Sequence, residues 1–136
     1  FYYSSANLFR LQHEFERAHT YAHQSLALFR ETGKLFSETN VLNLIALIEL
    51  DWSDQQPDHQ RSLQAIHHAT QSMDLCEHIH YDHGKASAIL TLGKGLRQTG
   101  NLQEACDKWN EALSISRRLQ SKFLTLRLEE LLAEAR

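Results

Sequence analysis

Proline and glycine are scarce in this chain, with one proline and five glycines among 136 residues. That scarcity, beside 42% hydrophobic residues, fits an all-helical protein whose elements are joined by short turns. Cysteine is scarce as well. Cys76 and Cys106 show no C-x-x-C spacing, so no disulfide framework is expected, and a reducing, cytoplasmic setting suits them. Long apolar runs are missing. The most apolar stretch, Val41 to Leu50, already contains Asn43 and Glu49, well short of the roughly 18 residues of a membrane span. Charge is nearly balanced at −3, with no basic stripe interleaved with aromatics, which gives no ground for a nucleic-acid partner. Catalytic motifs are missing too. Gly93-Lys94-Gly95 lies inside a helical pattern with no strand before it. His67-His68 with Ser62 or Ser72 makes no arrangement of nucleophile, base and oxyanion donors. No enzyme activity and no cofactor are expected.

What is present is helical periodicity, clearest from Ile89 to Leu113. Ile89, Leu92, Gly93 and Leu96 share one helix face, Gln98-Thr99-Gly100-Asn101 interrupts it, and Ala105, Trp109, Ala112 and Leu113 resume it. Gly100 suits a left-handed helix end, and Asn101 suits a cap for the next helix. The small residues Gly93 and Ala105 allow two helices to approach closely, with Trp109 filling the space beside them.

The same register recurs upstream. Ile89 to Ala105 is 16 residues, as is Tyr2 to Ala18; Ala18 to Leu42 and Ala65 to Ile89 are both 24. Only Leu42 to Ala65, at 23, departs, by an excess of 7. Four residues after Tyr2, Leu42 and Ile89 stand Ala6, Ala46 and Gly93, all small. A further step of 24 from Ala105 reaches Glu129, with Leu132 and Ala133 following.

The helices expected are 1–12, 14–31, 35–52, Pro57 to about His80, the pair within 83–119, and a closing helix over 121–136. Gly33 is expected to end the second, and Pro57 to sit in the first turn of the fourth. The third is apolar nearly all round, which makes it central in the stack or leaves it to meet something else. The seven-residue excess is expected as a lengthened turn with extra turns on its flanking helices. Its functional alternative is a contact site made by Trp52, Asp51, Asp54 and Asp58.

The order L-G-x-x-L followed by A-x-x-x-W-x-x-A-L resembles the tetratricopeptide repeat, with Ile89 and Leu96 substituting for the signature's Trp and Tyr. The resemblance implies an all-α solenoid: a single repeat domain of three hairpins, about 1–33, 34–82 and 83–119, plus a C-terminal capping helix. That last helix is either a cap or the first half of a fourth repeat. The chain opens in mid-pattern at Phe1-Tyr2-Tyr3 and reads as a piece of a longer protein.

The resemblance also implies a non-catalytic scaffold that holds a protein or peptide along the first helix of each pair. The side chains left for that face are Tyr3, Asn7 and Arg10; Asn40, Asn43 and Leu47; and Ser87, Leu90, Lys94 and Arg97. Asn and basic residues there suit an acidic segment or a C-terminal carboxylate. The 40-residue step from Ala65 to Ala105 also looks like repeats of bacterial signalling proteins. The alternative is therefore a regulatory sensor that binds a small inducer or signalling peptide. Self-association through the terminal helices is left open.

Histidine is abundant. His19 and His23 stand at i, i+4, and His78, His80 and His83 lie near Cys76 and Asp82. His19 and His23 flank Ala18 and Ala22 and are expected to face outward with no third ligand, so no metal site is assigned.

Overall fold

A computed structural model describes residues 2–135. Its helices are α1 (Tyr2–Leu11), α2 (Phe15–Thr32), α3 (Leu35–Gln55), α4 (His59–His78), α5 (Asp82–Gln98), α6 (Leu102–Arg118) and α7 (Lys122–Glu134). There is no strand among the described residues. No helix among them is long and apolar enough to cross a membrane.

Five of the six turns are built the same way. Each ends its helix on a left-handed residue: His13 (φ 62°), Gly33 (φ 68°), His80 (φ 58°), Gly100 (φ 87°) and Gln120 (φ 58°). The following N–H then reaches back five residues, as in Lys34 N to Phe29 O at 3.0 Å and Ser121 N to Ser116 O at 2.9 Å. This closure satisfies the last helical carbonyls. Glycine fits such a site freely, whereas a side chain there is strained by roughly 1–2 kcal/mol. Gln120→Gly should therefore stabilise the fold by about 0.5–1 kcal/mol after the glycine's greater unfolded-state freedom is subtracted. A thermal melt checks this, and a lower melting temperature would contradict it. Asn101 precedes α6 but makes no side-chain cap bond; its amide donates to Thr99 Oγ1 at 3.1 Å instead.

The α3–α4 junction is the exception, and it absorbs the seven-residue excess. α3 has 21 residues and α4 has 20, where α5 and α6 have 17 each. The extra chain is thus helix, and the connection is only Gln56-Pro57-Asp58. Pro57 precedes the cap and is not in the first turn. Asp58 is the cap, its carboxylate accepting from Gln60 N at 3.0 Å and Arg61 N at 3.3 Å.

Each helix packs on its neighbours in the chain. The backbones of the odd-numbered helices also come close to the next odd-numbered one, while those of the even-numbered helices stay apart. The buried side chains form two clusters that meet at α3. Val41, Leu42, Leu44, Ile45 and Ile48 pack with α1 and α2, whereas Ala46 and Leu50 pack with α4 to α7. This explains why α3 is apolar on more than one face. Ala18, Ala65 and Ala105 are all buried, at 1% exposure or less. Leu35 and Phe36, in α3's first turn, are exposed. Phe36 lies edge-on to Tyr81 at 5.1 Å. Apolar side chains are also left open at both ends, Leu8 and Leu11 on α1 and Phe123 and Leu126 on α7.

Candidate functional site

The odd-numbered helices carry the residues expected to line a binding face. On α1, Tyr3 is partly exposed; burial raises its hydroxyl pKa, Arg10 opposes that, and Tyr81 adds to it. Asn7 Oδ1 accepts from Arg10 Nε at 3.2 Å and Nη2 at 3.0 Å, and Arg10 Nη1 pairs with Asp51 of α3 at 2.9 Å. On α3, Asn40 is exposed while Asn43 and Leu47 are half-buried. Asn43 Oδ1 is buried and has no hydrogen-bond partner among the described residues.

On α5, Ser87 is half-buried, and Leu90 is part of the core at 8% exposure. Packing takes the Leu90 side chain off the surface, because α5 is buried on more than one side. Arg97 lies over the Trp109 ring at 5.4 Å and reaches Glu134 of α7 at 3.8 Å. Lys94 is half-buried. Burial lowers its pKa most; Asp51 pulls the other way, Arg127 and Arg97 lower it further, and Asp54 opposes them.

The structure therefore joins α1, α3, α5 and α7 in one charged strip: Arg10, Asp51, Lys94, Arg97 and Arg127. Asp51 and Arg127 were not among the side chains predicted for this face. Asp51 falls inside the helix expected over 35–52 but reads from sequence with the excess segment; in α3 it lies on this face, four residues after Leu47.

The acidic residues of the excess segment are all engaged internally. Asp51 pairs with Arg10, Asp54 accepts from Gln98 Nε2 at 2.9 Å, and Asp58 caps α4. Trp52 stacks on Phe15 at 6.3 Å and lies under the Arg61 guanidinium at 4.0 Å. These contacts account for the segment as structure and give no support to a contact site there.

A second constellation lies on the even-helix side. His19 and His23 do not face outward. Glu49, 1% exposed, accepts from His68 Nδ1 at 2.6 Å through Oε1 and lies 3.3 Å from His19 Nε2 through Oε2. His23 Nε2 is 3.3 Å from His19 Nε2. Burial would raise the Glu49 pKa, yet hydrogen bonds from His19 and His68 hold it below the ordinary carboxylate value. His23 is pushed below its ordinary value by burial first, then by His19 and His68, with Glu49 opposing them. The missing signal was Glu49 itself. In a helix apolar nearly all round, a lone carboxylate needs buried partners. No three His, Cys, Asp or Glu side chains among the described residues are placed to hold a metal ion.

No family model matches the chain, and no curated protein shows significant similarity to it.

Proposed function

We propose that the chain is a tetratricopeptide-like α-solenoid that binds an extended protein or peptide segment along its odd-numbered helices. Three observations support the architecture. The odd helices' backbones approach one another in succession, those of the even helices do not, and five turns share one closure. Glu129 occupies the register position of the buried Leu42 and Ile89, yet it is exposed. A charge at that position sets α7 apart from α3 and α5.

The observation that carries the binding role is Lys94. It is half-buried and sits in the charged strip among Asp51, Arg97 and Arg127. Desolvation makes its charge costly in the free chain, and an incoming carboxylate would offset that cost with a charge-assisted hydrogen bond. The ligand this favours is an acidic segment ending in a free carboxylate. The surface clefts, about 270 to 520 Å³, are open to solvent rather than enclosed. That favours a scaffold over a sensor closing around a small inducer.

Fluorescence anisotropy with labelled acidic peptides tests the reading. Peptides with a free C-terminus should bind, and amidation or Lys94→Met should each weaken binding about tenfold or more, equal to about 1.4 kcal/mol. Equal binding of the free and amidated peptides, with Lys94→Met unchanged, would refute it.

A further inference from the structure

The backbones of α2 and α4 stay apart, and the seam between them on the even-helix side is filled by imidazoles. Glu49 of α3 forms its floor, with His19 and His23 from α2 and His68 from α4 around it. We propose that these four side chains form an acid-sensitive clasp, which holds the first helical pair against the second at neutral pH and releases it in mild acid.

The proton positions follow from the partners. An ionised carboxylate only accepts, so His68 Nδ1 and His19 Nε2 carry the hydrogens that face Glu49. His19 Nε2 can share its hydrogen with His23 only if His23 Nε2 offers a lone pair. His23 is therefore neutral, with its hydrogen on Nδ1. A proton added to His23 Nε2 would set two N–H groups head to head across 3.3 Å.

Charge points the same way. One carboxylate balances one imidazolium. A second or third is unbalanced, with the His19 and His23 rings 4.4 Å apart and those of His23 and His68 5.8 Å apart.

The surrounding charges do not supply a second anion at short range. From α2, Arg30 also disfavours a charged His23. From α4, His67 lies beside His68 at 5.7 Å, and Arg61 and Asp58 line the cleft with Glu49 but pair with each other at 3.5 Å. Arg10 of α1 and Lys94 of α5 pack against α3 but act on Asp51.

The direction of the pH effect is fixed by the two shifts. His23 has a lowered folded value, so the unfolded chain binds its proton first. Its contribution is complete above its ordinary value of 6.5 and is lost as pH falls below that. Glu49, also lowered, contributes fully above its ordinary value of 4.5, and its contribution is lost as pH falls through its lower folded value. The imidazole step therefore comes first, in mild acid.

Hydrogen exchange of the full chain in chelator-containing buffer, from about pH 7.5 to about pH 5.5, tests the clasp after correction for intrinsic exchange. Protection in α1 and α2 should fall about tenfold per pH unit for each linked proton, while α5 and α6 keep theirs. His23→Gln, which still hydrogen-bonds but does not titrate, should flatten that dependence and leave neutral-pH protection nearly unchanged. The same slope in His23→Gln, or loss spread evenly over α1 to α6, would overturn the proposal. Should that variant fail to fold, imidazole NMR titration of the unmodified chain decides. His23 titrating below 6.5 supports the clasp, and at or above 6.5 overturns it.

Discussion

Trp109→Ala should destabilise the protein by about 3–5 kcal/mol, seen as a lower denaturant midpoint with little change in slope. Trp109 is fully buried and heads the largest of the buried side chains. It belongs to the cluster that joins the end of α3 to α7, so the cavity left behind opens into the packing of several helices. Its indole N–H also donates to the Leu90 carbonyl at 3.0 Å, a contact that neither alanine nor phenylalanine can make. A loss below about 1 kcal/mol would mean that the surroundings collapse onto the void, and that Trp109 does not anchor the third pair.

Gly93→Ala should also destabilise, by about 2–3 kcal/mol, although alanine is the better helix former by about 1 kcal/mol. A Cβ at Gly93 would lie 2.2 Å from Trp109 Nε1 and 2.6 Å from Cδ1. The indole is pinned by its hydrogen bond and has no room to retreat, so the α5–α6 pair must spread. The sign should reverse when Trp109 is already alanine. With the ring gone, Gly93→Ala gains the helix propensity without the clash and should stabilise that background by up to about 1 kcal/mol. Denaturation of the four proteins of this cycle measures the coupling. Additive effects would show that the two residues do not share one space.

Much of this was readable along the chain. Of the positions that the 16 and 24 spacings mark, Ala18, Leu42, Ala65, Ile89 and Ala105 are buried, while Tyr2 is half-buried and Glu129 is exposed. Gly93 with Trp109 was readable as a small–large pair, because a helix face buries what its period places against a neighbour. Gly33 and Gly100 announced their turns, since only glycine enters the left-handed region freely. His13, His80 and Gln120 take the same conformation and carry no such mark. At those turns the six-to-one closure and the packing of the flanking helices outweigh the strain of a side chain.

The candidate sites were less legible. Assigning Asp51 to the excess segment rather than to the odd-helix face hid the Arg10–Asp51 pair that ties α1 to α3 across the charged strip. The outward reading of His19 and His23 followed from α2 alone, whose buried stripe is satisfied by Phe15, Ala18, Ala22 and Leu26. It missed that α3 presents Glu49 to the flank of that stripe.

The sequence by itself determined the helices, most of their ends and which stripe of each is buried. These depend on local periodicity and on the conformational limits of single residues. Only the tertiary structure decided that α3 runs on to Gln55, that one carboxylate gathers histidines from two helices, and that Leu90 is buried while Lys94 is half-exposed. Those outcomes depend on what lies across from a side chain, and in a stack of helices that neighbour comes from another helix, about 20 to 40 residues away in the chain.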